Sequence, residues 1–280
     1  MRDYPKVIEI QFHNKCNSNC LICPYKDMKY NYGDMSEALF NKFLDEIEEN
    51  KIERIIPYLN NEPFLQKNFV SRVEKIRNRF KKVEIEISSN VSMINEDDLK
   101  KLKELEITEL RLSVFGFEKE TYKKIMPGLN YENTMNKLKL ISDYMKNTNT
   151  VISIVMIDNN EIPEIEFQKM KQLCGDLGFN FERWGFLDRS SNVAYKSNNI
   201  NNLVVSTCEQ NRPLERMHIL SDGRVIFCCQ DWRHSLVVGN IQFQTIKEVW
   251  NSKKYQEARE SLYNKKKNSP YICQKCKLGH

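Results

Sequence analysis

From Lys6 to about Asp188 the chain alternates short runs rich in β-branched residues with longer stretches whose apolar positions recur every three or four residues. Val7 to His13, Arg54 to Leu59, Val83 to Ser88, Glu109 to Val114, Val151 to Ile157 and Asn180 to Phe186 have the composition and length of strands. Between them, Glu37 to Glu49, Phe69 to Phe80, Glu96 to Leu105 and Asn133 to Lys146 carry the spacing of amphipathic helices. Strands alternating with helices predict βα units around a parallel sheet. Right-handed crossovers would curl six such units into an open barrel.

The fold class expected is therefore α/β, a partial (β/α)6 TIM-like barrel over residues 1–190. Beyond it the texture changes. Residues 191–202 form an asparagine- and serine-rich link, and residues 203–280 carry five of the nine cysteines. Within that segment Ser221-Asp222-Gly223 predicts the turn of a β-hairpin, and a helix is expected from about Thr245 to Leu262. A small C-terminal hairpin-plus-helix domain results. Lys265 to Lys267 reads as a solvated basic loop, and no internal repeat is present.

Composition narrows the class. At 280 residues and 40% apolar content the chain can bury one substantial core. No run of about 18 apolar residues is present to span a bilayer, and Met1 to Lys6 lacks the apolar stretch of a signal peptide. A cytoplasmic protein with no membrane partner is expected. The net charge is +5, but lysines alternate with acidic residues along segments such as Asp97 to Glu109, so the excess sits on solvated faces and no nucleic-acid partner is expected. Nine cysteines without an export signal point to metal binding or catalysis rather than to disulfides.

Cys16, Cys20 and Cys23 stand as C-N-S-N-C-L-I-C directly after the first expected strand, where loops at strand C-terminal ends gather into sites. Three thiolates cannot complete a 4Fe-4S cluster, which normally takes four cysteines, so one iron is left open to a small ligand. An incomplete zinc site or plain buried thiols are the alternatives. The C-x3-C-x2-C spacing resembles that of the radical SAM superfamily, which implies a 4Fe-4S cluster and S-adenosylmethionine (SAM) as cofactors. Asn61-Glu62-Pro63 resembles that family's Gly-Glu-Pro turn, which holds the methionine amino group of SAM. Asn61 departs from glycine, yet asparagine tolerates positive φ. Ser89, Asn90 and Ser113 resemble the polar positions that face the ribose and carboxylate of SAM, although serine and asparagine also cap strand ends. The stretch around Thr121-Tyr122 and Pro127-Gly128 resembles the family's post-strand segment. Ile22 stands where an aromatic residue commonly precedes the third cysteine, and Tyr25 is the candidate to supply the adenine contact, or else an ordinary packed tyrosine.

Gly223 follows Cys208 by fifteen residues and precedes Cys228 by five, and Cys273 and Cys276 close the chain as C-x-x-C. This pattern resembles the family's SPASM or twitch extension. A full SPASM domain carries two clusters and needs roughly seven or eight cysteines beyond the triplet. Only five follow Asn202, so the twitch form fits, with one auxiliary 4Fe-4S cluster on Cys208, Cys228, Cys273 and Cys276. An all-cysteine zinc site is the alternative. Cys229 and Cys174 remain unassigned, each either an inert small hydrophobe or a hydrogen-atom donor to a substrate radical. Arg189, in Asp188-Arg189-Ser190 after the sixth strand, lies where such barrels contact substrate. Glu9, Gln11 and His13 alternate along the first strand and can share an inward face.

The resemblance covers nearly the whole chain and is similar in length and cluster layout to the twitch-bearing dehydrogenases of aminocyclitol biosynthesis. It implies a radical SAM oxidoreductase: one electron from the first cluster cleaves SAM to a 5′-deoxyadenosyl radical, which takes a hydrogen atom from a sugar- or aminocyclitol-like alcohol. The auxiliary cluster accepts the second electron, and a base takes the proton. A carboxylate suits that base, while Arg189 orients the substrate hydroxyl. The alternative activity is maturation of a ribosomal peptide by epimerisation or cross-linking, with Cys229 in the donor role. Peptide-modifying members often carry an N-terminal peptide-binding domain, for which Cys16 leaves no room, so a small-molecule substrate is favoured over a peptide. An electron donor such as flavodoxin or ferredoxin is the expected partner. A non-catalytic two-cluster electron carrier is the third reading, and it would need four protein ligands per cluster.

Overall fold

The computed structural model describes residues 2–30, 33–186, 189–193, 207–264 and 268–276. From residue 194 onward the expected link lies outside them, as do Asp188 and Lys265–Lys267. Strands β1 (Val7–Ile10), β2 (Arg54–Ile56), β3 (Glu84–Ser89), β4 (Glu109–Ser113), β5 (Val151–Asp158) and β6 (Asn180–Gly185) fall on the six runs expected, β1 and β2 ending three residues earlier and β3 and β5 one residue later, and β7 (Arg216–Ile219), β8 (Arg224–Ile226) and β9 (Val237–Asn240) follow. The helices are α1 (Glu37–Glu46), α2 (Phe69–Arg79), α3 (Glu96–Glu104), α4 (Lys119–Ile125), α5 (Tyr131–Met145) and α6 (Glu164–Leu177). They continue with α7 (Arg212–Glu215), α8 (Ile246–Trp250), α9 (Lys253–Tyr263) and α10 (Tyr271–Gln274). This is the α/β, partial TIM-like architecture expected, with a C-terminal hairpin and helices. None of the described helices is long and apolar enough to cross a membrane.

The chain divides into two compact units, one of Met1–Asn14, Pro24–Asn61 and Leu187–His280, the other of Lys15–Cys23 and Glu62–Phe186. In the second, β3, β4, β5 and β6 pair parallel in chain order. Ile85, Ile87, Leu110, Leu112, Ile154 and Met156 are fully buried on these strands, as are Leu99, Leu102, Leu138, Ile141 and Met170 on the helices. Each such side chain contributes about 1.5–3 kcal/mol on leaving water. Local signals start the helices: Asn95 and Asp98 form a reciprocal capping box at α3. The short α4 is capped from a distance. The buried Glu166 carboxylate on α6 accepts from the N–H groups of Phe117 and Glu118 at 2.7 and 2.9 Å and from Thr121 Oγ1 at 2.6 Å. A carboxylate at a helix N-terminus answers both the orphan donors and the helix dipole.

In the first unit β1 is flanked by β2 and β7, parallel to both, and Glu9 lies opposite His218 of β7. β7 turns back antiparallel into β8 and β8 into β9. Gly223, at the expected hairpin turn, has φ 82°, and a Cβ there would stand 2.7 Å from Asn240 Oδ1, so the turn requires glycine. The single helix expected from Thr245 to Leu262 is two. Thr245 and Glu248 form a capping box on α8, the chain breaks at Asn251, and Ser252 Oγ caps α9 by accepting from Tyr255 N.

Candidate metal centres

The loop bearing Cys16, Cys20 and Cys23 is held by the end of α4. Asn19 N donates to Pro127 O at 3.0 Å, Leu21 N to Ile125 O at 2.8 Å and Ser18 Oγ to Pro127 O at 3.3 Å. Gly128 has φ 95°, and a Cβ there would lie 3.2 Å from Asn17 O, which gives the Pro127-Gly128 segment a physical reason to end in glycine. Cys23 N donates to Cys20 O at 3.0 Å, closing the C-x-x-C pair into a turn. Burial pushes the Cys16 and Cys20 thiols up to about 12, and the charge of Cys23 adds to the rise in both. Desolvated thiols that resist ionisation alone will ionise together on a cation, so metal loading here releases protons.

Glu62 ties this loop to β3. Its N–H donates to Lys15 O at 3.0 Å. Its carboxylate, 2% exposed, accepts from Ser89 Oγ at 2.7 Å, Asn90 N at 2.6 Å and Phe64 N at 3.3 Å. Burial pushes it up to about 7 against the pull of those donors. A carboxylate offers about four acceptor positions, so one remains for a ligand. Asn90 Nδ2 reaches Asn17 Oδ1 at 2.8 Å, and Asn17 Nδ2 reaches Ser92 Oγ at 2.8 Å. Cys16, Cys20, Cys23, Glu62, Ser89 and Asn90 thus belong to one unit, with Ser113 at the end of β4 in the same unit. Asn61 is not among the described residues with positive φ. The turn forms without a glycine-like conformation: Asn61 Oδ1 accepts from Leu59 N at 3.1 Å, and Pro63 opens a short 3-10 turn that Glu62 caps. Tyr25 is buried, with its hydroxyl donating to Asn14 O at 3.2 Å.

In the other unit Cys208, Cys228, Cys273 and Cys276 line one small cavity together with Ser190 and Gln230. Cys276 N donates to Cys273 O at 3.0 Å, the same closure as in Cys20–Cys23. Burial raises the Cys273 thiol, and Cys276 and Cys208 add to the rise. Among the described residues, no three of these sulfurs gather within 4.8 Å of one another; the set that does is Glu9, His218 and Cys229. Tetrahedral zinc with Zn–S near 2.3 Å would draw all four sulfurs to within about 4 Å. A cavity ringed by four thiols fits a 4Fe-4S cluster.

Cys229 is not in that lining, but its thiol is hydrogen-bonded to that of Cys228, which is. The Cys229 Sγ accepts from Arg212 Nη1 at 3.2 Å. Burial alone would lower His218, but Glu9 beside it, with Oε1 at 3.4 Å from Nε2, lifts it to about 9. The buried Gln230 side-chain oxygen, oriented by two guanidinium groups, accepts from Arg189 Nη1 at 3.0 Å and Arg212 Nη1 at 2.9 Å. Arg189, Ser190 and Ser191 run consecutively through the left-handed region at φ 52°, 55° and 61°. Cys174 is buried on α6, and burial pushes its thiol up to about 12. Glu9, Gln11 and His13 are all buried.

Gln230, Arg212 and His218 were not singled out by sequence reasoning. Gln230 sits two residues after Cys228, which is the one local signal; Arg212 meets Gln230, and His218 meets Glu9, only through the fold.

Comparison with known proteins gives consistent findings. A family profile described as Radical SAM superfamily matches residues 10–167, and one described as SPASM, an iron-sulfur cluster-binding domain, matches residues 208–277. The S-adenosyl-L-methionine-dependent 2-deoxy-scyllo-inosamine dehydrogenase of Niallia circulans is 22% identical over 96% of this chain and 92% of its own. The crystal structure of BtrN with AdoMet and 2-DOIA has a TM-score of 0.66 at 19% identity, covering 99% of this chain and 94% of that one. SuiB of Streptococcus suis, bound to the precursor peptide SuiA, has a TM-score of 0.70 at 12% identity, covering 99% of this chain and 70% of SuiB.

Proposed function

Because the chain belongs to the radical SAM superfamily and carries a SPASM iron-sulfur domain, we propose that it is an oxidoreductase that dehydrogenates a hydroxyl-bearing carbon of a sugar- or aminocyclitol-like substrate. The observation that carries this reading is the single cavity ringed by Cys208, Cys228, Cys273 and Cys276. Dehydrogenation removes a hydrogen atom, a proton and an electron from the substrate, and that electron needs an acceptor near the site. The near full-length match to a dehydrogenase supports the same choice.

When bound, the first cluster with SAM supplies a 5′-deoxyadenosyl radical and the auxiliary cluster an electron acceptor. Cys16, Cys20 and Cys23 hold the first. Glu62, through its one open acceptor position, would take the SAM ammonium, and Ser89, Asn90, Ser113 and Pro63 of the same unit would shape the rest of that site. Cys208, Cys228, Cys273 and Cys276 hold the second. Arg189, with Gln230 fixing its guanidinium at 3.0 Å, orients the substrate hydroxyl. The bound cofactors would take up the hydrogen atom and the electron, and a carboxylate of this chain would take the proton.

The test is product analysis with anaerobically reconstituted protein, SAM, dithionite and 2-deoxy-scyllo-inosamine beside a panel of related polyols. A ketone formed in step with 5′-deoxyadenosine, with no solvent deuterium at the reacting carbon, is expected. Deuterium delivered to a carbon of unchanged oxidation state, or modification of a peptide substrate in place of the polyols, would overturn the dehydrogenase reading.

A further inference from the structure

Three hydrogen-bond donors, Ser190 Oγ in the lining of the four-cysteine cavity and Arg212 Nε and Tyr263 Oη on residues that adjoin its lining residues Pro213 and Leu262 in the chain, have no acceptor among the described residues. Ser190 is 7% exposed and lines the cavity itself. Tyr263 follows Leu262, which also lines it, and the Tyr263 hydroxyl lies within electrostatic reach of Cys208 and Cys273. Arg212 precedes Pro213 in that lining and feels the charges of Cys229, Cys228 and Cys208. A buried donor left without an acceptor is destabilising, and folded proteins seldom leave one. Three on or next to the lining residues of one cavity amount to an unmet demand for acceptors.

The backbone adds a second sign. Arg189, Ser190 and Ser191 all hold left-handed φ values, and none is glycine. Such a conformation is strained for a non-glycine residue, and strain of this kind persists where the surroundings enforce it, commonly at functional sites. Ser190, in the middle of this run, lines the cavity. Arg212 is likewise held in place, its Nη1 engaged by Gln230 at 2.9 Å and Cys229 at 3.2 Å, which leaves Nε to face something else.

We propose that Ser190, Arg212 and Tyr263 donate hydrogen bonds to sulfur atoms of the auxiliary 4Fe-4S cluster and thereby raise its reduction potential. A cluster carries thiolate and sulfide sulfurs, all of them acceptors, and hydrogen bonds to those sulfurs stabilise the more negative, reduced state. Raising the potential makes the cluster a better sink for the electron leaving the substrate. The inference rests on the reading that this cavity holds such a cluster; it does not depend on which substrate is oxidised.

The experiment is an EPR-monitored redox titration of full-length protein carrying Cys16→Ala, Cys20→Ala and Cys23→Ala, so that the auxiliary cluster alone reports. Tyr263→Phe, Ser190→Ala and Arg212→Lys, which keeps the charge but lacks Nε, should each lower the midpoint by a several-fold loss of electron affinity, tenfold being about 59 mV for one electron. Iron should stay at the parent level. In the metal-free protein Tyr263→Phe should unfold at the same or higher denaturant concentration, because its hydroxyl has no acceptor among the described residues. Midpoints unchanged in all three variants at full iron content would overturn the proposal. For any variant that loses iron, the parent cluster decides alone: exchangeable-proton hyperfine couplings that vanish in deuterium oxide are required, and their absence overturns it equally. Iron content and midpoint are measured without substrate, so a failed dehydrogenase assay leaves this result standing, and the reverse.

Discussion

The backbone N–H of Asn90 donates to Oε2 of Glu62 at 2.6 Å, joining the end of β3 to the turn after β2 through a carboxyl that burial has pushed up to about 7. Only the ionised form attracts an ammonium group. SAM affinity of the loaded protein should therefore climb about tenfold per pH unit below pH 7 and level off above it. In Glu62→Gln affinity should be weaker and flat over that range. Equilibrium binding between pH 5.5 and 8.5 measures both; a slope that survives in Glu62→Gln would assign the dependence to another group. Stability runs the opposite way: a folded pKa above the unfolded 4.5 makes ionisation a cost, so Glu62 subtracts from stability as pH rises from about 4.5 to 7.

Iron content checks the two cysteine sets. Seven assigned cysteines and one SAM-facing position fill two 4Fe-4S clusters, so anaerobic reconstitution should yield about eight irons per chain. The triple replacement of Cys16, Cys20 and Cys23 by alanine should leave about four. Zinc in place of iron, or eight irons retained by the triple variant, would mean the ligand sets are wrong.

Gly128 couples backbone geometry to the first centre. At φ 95°, with a Cβ position 3.2 Å from Asn17 O, Gly128→Ala pays conformational strain and presses on the cysteine loop. A loss of about 1–3 kcal/mol in chemical denaturation is expected. Chelator-driven iron release should speed up from the N-terminal centre while the C-terminal cysteines keep their share. Equal lability at both centres would indicate a general loss of stability instead.

The electron path separates Cys229 from its neighbours. Replacing Cys273 or Cys276 by alanine should abolish ketone while some 5′-deoxyadenosine still forms, because the radical can be made but its electron has no acceptor. Cys229→Ala, compared at wild-type iron content, should keep forming ketone. Loss of product in Cys229→Ala with both clusters intact would make that thiol a hydrogen-atom donor and favour epimerisation.

Features governed by local spacing were open to the sequence alone: the C-x3-C-x2-C loop, the closing C-x-x-C, the hairpin glycine at 223, and the alternation that sets six strands among helices. Each depends on residues a few positions apart, where chain geometry leaves few options. The split of the last long helix was half legible, since Thr245 and Glu248 spell a capping box, but Ser252 restarting a helix depended on how α8 ends. Tertiary structure alone decided that β7 lies parallel to β1, setting His218 opposite Glu9, and that Glu166 caps α4 from 45 or more residues away. It alone decided that Gln230 joins Arg189 to Arg212, and that Ser190, Arg212 and Tyr263 hold buried donors without acceptors among the described residues. A hydrogen bond between distant residues leaves no periodic trace in the chain, because its partners are chosen by which surfaces must bury together and which buried polar atoms must then be satisfied.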